Sequence, residues 1–106
     1  LRQQPSPDAV KDLIAMLEDD DRLLARLAAD ALIANGKQAV QPLLETLEDS
    51  SPAARLEAVR SLAVIADPIA IPALYKALDA DSVLITHWAE LGLERMGVGM
   101  VFFYPS

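Results

Sequence analysis

Cysteine is absent from this chain of 106 residues, and aromatic residues make up only 5% of it. Without thiols, the chain can form neither a disulfide nor a thiolate ligand or nucleophile. Histidine occurs once, at His87, which leaves little material for an acid–base or metal-binding cluster. We therefore predict no catalytic residues and no metal site. The lack of disulfides fits a reducing compartment, and we predict a cytoplasmic location.

Long apolar segments and an excess of basic residues are also missing. No stretch approaches the roughly 18–20 apolar residues of a membrane-spanning helix, so we predict no membrane partner. The chain has 9 Lys and Arg against 16 Asp and Glu, a net charge of −7. Because nucleic-acid phosphates require a basic surface, we predict no nucleic-acid partner. A first residue of Leu1 rather than methionine is typical of a piece cut from a longer chain.

The apolar residues, 53% of the chain, are mostly Leu and Ala, which is typical of helices. Three stretches that begin at positions 9, 39 and 70 have similar sequences: AVKDLIAMLEDD, AVQPLLETLEDS and AIPALYKALDAD. Aligned on Leu17, Leu47 and Leu78, they lie 30 and then 31 residues apart. A period of this length predicts a solenoid, in which each unit buries its apolar surface against its neighbours.

Helix start and stop signals divide each repeat into two helices. Ser6, Ser51 and Asp67 each precede a proline, which predicts a capped helix or turn start. Gly36 and Gly97 follow helical segments and predict left-handed stops. We therefore predict an all-α solenoid of three antiparallel helix pairs in one domain. The predicted repeats cover residues 7–36, 37–66 and 67–97, followed by a hydrophobic tail at 98–106.

Apolar spacing within the helices predicts the core. Because Pro68 and Pro72 cannot both lie in the first turn of one regular helix, we expect the fifth helix to begin near Ala70. Leucines are expected to fill the space between repeats, and alanines to let the paired helices approach closely. The predicted core comprises Leu13, Leu17, Ala28, Leu32, Leu43, Leu47, Ala58, Leu62, Leu74, Leu78, Ala89 and Leu93.

The strings AVQPLLETLED and AIPALYKALDAD, each followed by a second helical stretch, resemble HEAT-like repeats. The resemblance is to the short variety named for the phycobilisome lyases of cyanobacteria, and it covers roughly residues 8–97. It implies a stack of helix pairs. Members of that family attach bilin chromophores to phycobiliproteins, take part in removing them, or bind protein partners, so the resemblance implies one of these functions.

The second helices of a HEAT stack usually form its inner face, so the resemblance directs attention to their outward residues. The predicted binding residues are Arg26, Arg55, Arg60, Leu84, His87, Trp88 and Leu91, with Arg22, Asp30 and Glu57 beside them. The acids of residues 18–21 lack the alternating ligands and glycine of a calcium loop, and we interpret them as solvated turn residues. Stacking is expected to place the turn acids along one edge.

Two functions are compatible with such a face. The first is a protein-binding scaffold that recognises another protein through the second helices and has neither catalysis nor a cofactor of its own. The alternative is a bilin lyase, or an accessory in the attachment or removal of phycobilisome chromophores. Under the alternative, Arg55 and Arg60 would pair with propionates, and His87 and Trp88 would pack against the rings.

Trp88 has a further predicted neighbour, the apolar tail at residues 100–104. That tail either opens a fourth repeat or folds back as a cap over the third. Trp88 matches Leu27 and Glu57 in the other repeats, and a position that accepts a glutamate is not expected in the deep core. We therefore expect Trp88 to be covered by the tail or by a partner, with the tail favoured.

Overall fold

The computed structural model describes residues 7–48 and 50–98. In this part of the chain the secondary structure is entirely helical, which confirms the predicted all-α class. The α-helices are α1 (Pro7–Met16), α2 (Arg22–Asn35), α3 (Lys37–Thr46), α4 (Pro52–Ile65), α5 (Ile71–Ala77) and α6 (Val83–Arg95). Consecutive helices pack in pairs across short turns, and α4 also packs against α2 and α6. The result is a stack of three helix pairs.

Side-chain caps begin several of the helical segments, as local sequence predicts. Ser51 Oγ accepts the Ala54 N–H at 3.1 Å, and Asp67 Oδ1 accepts the Ile69 N–H at 2.9 Å, so both predicted caps are confirmed. Asp21 and Ser82 cap α2 and α6 in the same way. These last two were not predicted, because neither residue is followed by a proline. The predicted cap at Ser6 lies outside the described residues.

The third pair starts with a distortion, as its two prolines predicted. Pro68–Ala70 form a 3-10 turn, and the regular helix α5 begins at Ile71. The late start leaves Pro72 in the first turn of α5, where its missing N–H breaks no helical hydrogen bond.

A residue with a positive φ angle follows the second helix of every pair. The backbone φ angle is 64° at Gly36, 58° at Ala66 and 79° at Gly97. Positive φ costs a Cβ-bearing residue free energy that glycine does not lose. The glycines at the first and third positions therefore stop their helices as predicted. Ala66, with ψ of 41°, lies in the left-handed helical region that a residue with a Cβ can enter at a cost, whereas Gly36 has ψ of −126°.

The core runs along the seam between first and second helices. Nine of the twelve predicted core residues are buried. Leu13, Leu47 and Leu78 are instead half-buried and pack against the core from its margin. The prediction of full burial was wrong for these three.

End effects of the stack explain two of the exceptions. Leu13 matches Leu43 and Leu74, which are fully buried; unlike them, Leu13 has no preceding helix pair beside it in the described residues. Leu78 likewise has no following pair there. Leu47 is internal, and it is half-buried because it lines an open groove between the second and third pairs.

Gly92 sets how closely α6 approaches α4. A Cβ built on Gly92 would lie 2.8 Å from the Ala63 Cβ and 2.9 Å from both the Ala63 Cα and the Leu74 Cδ1. Real Cβ atoms do not come so near their neighbours. The absence of a side chain at Gly92 therefore allows α6 to lie against α4 without displacing the core.

We expect Gly92→Ala to destabilise the fold by about 1–3 kcal/mol, because one methyl group overpacks this contact. Helix propensity alone would predict the opposite, since alanine favours a helix over glycine by about 1 kcal/mol. Thermal unfolding of the variant decides between the two. Adding Ala63→Gly should recover part of the loss, because it removes the atom closest to the new methyl group. A variant more stable than the parent would contradict this packing.

Candidate protein-binding face

The second helices lie side by side, so residues at matched positions form rows across them. Asp30 and Arg60 occupy one such position, and a contact of 2.8 Å joins their Oδ1 and Nη2 atoms across α2 and α4. Two neighbouring rows are Leu23, Ala53 and Leu84, and Leu27, Glu57 and Trp88. We call the surface formed by Leu23, Arg26, Leu27, Ala53, Leu84, His87, Trp88 and Leu91 the second-helix face.

Apolar side chains project from both ends of this face. Leu23 is 66% exposed and Leu27 is 53% exposed on α2, and Leu84 is 56% exposed on α6. Ala53, also exposed, lies between Leu23 and Leu84 in its row. The sequence analysis did not predict Leu23 and Leu27 as surface residues, because leucine is usually a core residue in a chain this rich in leucine. The alignment of Leu27 with Trp88 was the available signal.

Arg60 does not point outward, contrary to the sequence-based expectation. Arg60 is 9% exposed and Glu57 is 8% exposed. The Arg60 Nε donates to Glu57 Oε1 at 3.3 Å, and its Nη2 donates to Asp30 Oδ1 at 2.8 Å. Both residues are buried because each neutralises the other, and the guanidinium ties α4 to α2. Its predicted role in binding is untested, but its charge is already paired within the stack.

Arg55 also lies away from the second-helix face. It is half-buried, and its Nη2 donates to the Ser50 carbonyl oxygen at 3.0 Å, which clamps the turn before α4. Arg55 lines the groove between the second and third pairs instead. Arg26, by contrast, is exposed on α2 as expected.

The aromatic end of the face is partly covered. Trp88 is half-buried and packs against the core, and His87 is exposed, with its ring 5.7 Å from the Trp88 ring in an edge-on arrangement. Leu91 is half-buried. The tail expected to cover Trp88 lies outside the described residues beyond Val98, so its role stays a prediction.

Glu57 does not mark its matched position as lying outside the core, so that premise of the prediction for Trp88 was wrong. Glu57 occupies the matched position in α4, yet it is buried. A glutamate can occupy such a position because Arg60 supplies a compensating charge and a hydrogen bond. The half-burial of Trp88 therefore cannot be inferred from the polarity of Glu57.

Acidic residues of the first turn stabilise the local structure. Asp21 caps α2, and Glu18 Oε2 accepts the Ser51 N–H at 3.1 Å, which links the first turn to the start of α4. Within residues 7–48 and 50–98, no three His, Asp or Glu side chains are grouped closely enough to hold a metal ion. The same residues contain no helix of sufficient length and apolar character to cross a membrane.

Hydrogen bonds from the hydroxyl and backbone N–H of Ser51 lower the pKa of Glu18 below the ordinary value of 4.5. A lowered folded-state pKa stabilises the fold above the unfolded value, and this contribution is lost as the pH falls through the folded-state pKa. We therefore expect Glu18→Gln to lower the melting temperature at pH 7. The difference from the parent should shrink as the pH falls below 4.5.

The matched control for Glu18→Gln is Glu48→Gln, since Glu48 occupies the same position in the second repeat and is exposed. Its melting temperature should follow that of the parent at every pH. A Glu18→Gln difference that stays constant between pH 7 and pH 3 would contradict the role assigned to the carboxylate.

Comparison with known proteins agrees with this architecture. The family model described as HEAT repeats matches residues 10–94. The phycobilisome maturation protein of Synechococcus elongatus is 37% identical over 89 residues, which is 83% of this chain and 43% of that protein. The phycocyanobilin lyase subunit beta of Thermosynechococcus vestitus is 38% identical over 81 residues, 76% of this chain and 38% of that protein.

A phycocyanobilin lyase subunit beta from a Nostoc species is 37% identical over 73 residues, 69% of this chain and 36% of that protein. The chain thus spans less than half the length of these relatives. The three helix pairs, the matched positions across them and these similarities agree with one another. The chain belongs to the HEAT-repeat family, and it is similar over most of its length to proteins named for phycobilisome maturation and for phycocyanobilin lyase, as its repeat strings predicted.

Proposed function

We propose that the chain is a protein-binding scaffold that recognises a partner through the second-helix face and has no catalysis of its own. The observation that supports this most directly is the exposure of Leu23, Leu27 and Leu84 on one side of the stack. Large apolar side chains that share a patch on a folded surface mark interaction sites. Because Ala53 is small, the patch forms a shallow apolar strip across the second helices.

The residues beside the apolar strip indicate what kind of surface the partner would present. Arg26 and His87 are exposed at matched positions of α2 and α6, flanking the half-buried Leu56 of α4. A complementary surface would therefore present apolar side chains with carboxylates beside them. Since Arg60 is paired internally, it is Arg26 that offers a permanent positive charge to the partner. Added salt is expected to weaken the interaction.

Capture experiments test this face. The immobilised protein is exposed to a cyanobacterial lysate, and bound proteins are quantified by mass spectrometry. Leu27→Glu and Leu84→Glu should remove the specifically bound partner while leaving the melting temperature nearly unchanged, because both leucines are more than half exposed. Gln41→Glu, an exposed substitution on α3, is the matched control. A partner retained by both leucine variants would contradict the proposal.

The alternative is a bilin lyase or accessory, and the names of the relatives favour it specifically. Two of them are called phycocyanobilin lyase subunit beta. Under this alternative, Arg26 would be the exposed cation for a bilin carboxylate, and Trp88 with His87 would contact the rings. Titration of the protein with phycocyanobilin, followed by absorbance, separates the two. A saturable spectral change that Arg26→Gln and Trp88→Leu weaken supports the alternative, and an unchanged spectrum supports the scaffold.

A further inference from the structure

A groove opens between the second and third helix pairs, away from the second-helix face. Its volume is about 460 Å³, within the range of small-molecule sites. Leu44 and Leu47 form the wall on the second pair, and Ala77 and Ile85 form the wall on the third. The lining is therefore mainly apolar, and an apolar ligand would lie between side chains of two successive repeats.

The first junction, between pairs one and two, shows what is different at the second. Leu17 is fully buried at the first junction, whereas its counterpart Leu47 is half-buried at the second. Three positions also change charge between the junctions, one of them being Ala80, which stands where the first junction has Asp49. Arg55 stands where the first junction has Ala25, and Lys76 stands where it has Glu45. The second junction is thus the more open and the more basic of the two.

Arg55 contributes a guanidinium group to the lining of the groove. Its Nη2 is bound to the Ser50 carbonyl, but its Nε is buried and has no hydrogen-bond acceptor among the described residues. The half-buried guanidinium is less screened by solvent than an exposed cation, so a carboxylate in the groove would gain a charge-assisted interaction with it. Glu48 and Asp79 also border the groove, but both are exposed, and solvent and salt screen them more than the half-buried guanidinium.

We propose that this groove binds a small apolar carboxylate. The ring or chain of the ligand packs between Leu47 and Ile85, and its carboxylate pairs with the half-buried Arg55 guanidinium. Lys76 also lines the groove, but it is exposed like Glu48 and Asp79 and is screened in the same way, so Arg55 carries the selectivity for a carboxylate. This site goes beyond the proposed scaffold function, because it uses none of the residues of the second-helix face.

The test uses a matched pair of probes, 1-naphthaleneacetate and its neutral amide, 1-naphthaleneacetamide. Titration of the nitrogen-15-labelled protein, followed by backbone amide shifts, locates and quantifies binding. We expect saturable shifts around the groove and an affinity for the acid about tenfold higher than for the amide, the usual gain from a charge-assisted hydrogen bond. Arg55→Met should remove that preference.

Further variants separate the groove from the rest of the surface. Ala77→Phe should abolish binding of both probes by filling the groove while leaving Arg55 and its contact with the turn in place. Arg26→Met and Leu27→Glu should leave the probe affinities unchanged, so a failure here is distinguishable from a failure of the proposed partner face. Equal affinity for acid and amide, undiminished acid binding by the Ala77→Phe variant, or no saturable shift would each overturn the proposal.

Discussion

Replacing Arg60 with methionine is expected to lower the free energy of unfolding by about 3–5 kcal/mol, because it leaves Glu57 buried without its ion partner. The contact with Asp30 contributes less, since that carboxylate is 55% exposed and screened by solvent. For a domain of about this size, each kcal/mol corresponds to roughly 4–8 °C in melting temperature. The loss should therefore be visible in any thermal unfolding experiment.

A compensating variant tests the physical reason for this loss. In the third repeat the positions of Glu57 and Arg60 hold Trp88 and Leu91, so an apolar pair is compatible with this register. Glu57→Leu combined with Arg60→Met should recover most of the stability, because no unpaired charge remains buried. Arg26→Met, an exposed arginine on α2, is the control. If Arg60→Met costs no more than the control, Arg60 does not hold the repeats together.

Truncation of Leu43 should cost about 2–5 kcal/mol, since its side chain is fully buried and its loss leaves a cavity. Truncation of Leu47, four residues later at the C-terminal cap of the same helix, should cost clearly less. Leu47 is half-buried beside the open groove, where solvent already reaches the space that its side chain would vacate. The contrast between Leu43→Ala and Leu47→Ala therefore measures how open the second junction is.

Denaturant unfolding of the two variants gives this contrast directly, provided that the slope against denaturant concentration is unchanged. Leu17→Ala supplies the matched comparison, because Leu17 occupies the same position as Leu47 at the first junction but is fully buried. We expect Leu17→Ala to behave like Leu43→Ala. Equal losses for Leu17→Ala and Leu47→Ala would show that the groove is closed in solution.

The helical fold was predictable because its determinants are local. A cap at Ser51 acts on the N–H of Ala54, three residues away, and a glycine at Gly36 stops the helix that immediately precedes it. The spacing of leucines and alanines then orients each helix toward its pair. With three copies of the pattern in register, the repeat architecture followed without any knowledge of long-range contacts.

The direction of the charged side chains was not predictable in the same way. The resemblance to HEAT repeats placed Arg60 and Arg55 among the outward residues of α4, as it placed Arg26 on α2. Arg60 turned inward because Asp30, 30 residues earlier, and Glu57 together provide acceptors for its guanidinium. Arg55 turned toward the groove, where the Ser50 carbonyl accepts its hydrogen bond. The orientation of a flexible arginine side chain depends on where its hydrogen-bond acceptors lie. The positions of those acceptors are set only by the packing of the helices.

The sequence by itself determined the helices, their caps and stops, the period of the repeat and most of the core, since each depends on residues within one or two turns. Tertiary structure alone decided which leucines lie in the open, which arginines are paired, and that the second junction holds a groove whereas Leu17 is sealed at the first. These features depend on the distance and offset between neighbouring repeats. Small residues such as Gly92 set that distance, and it cannot be derived from the period of the repeat.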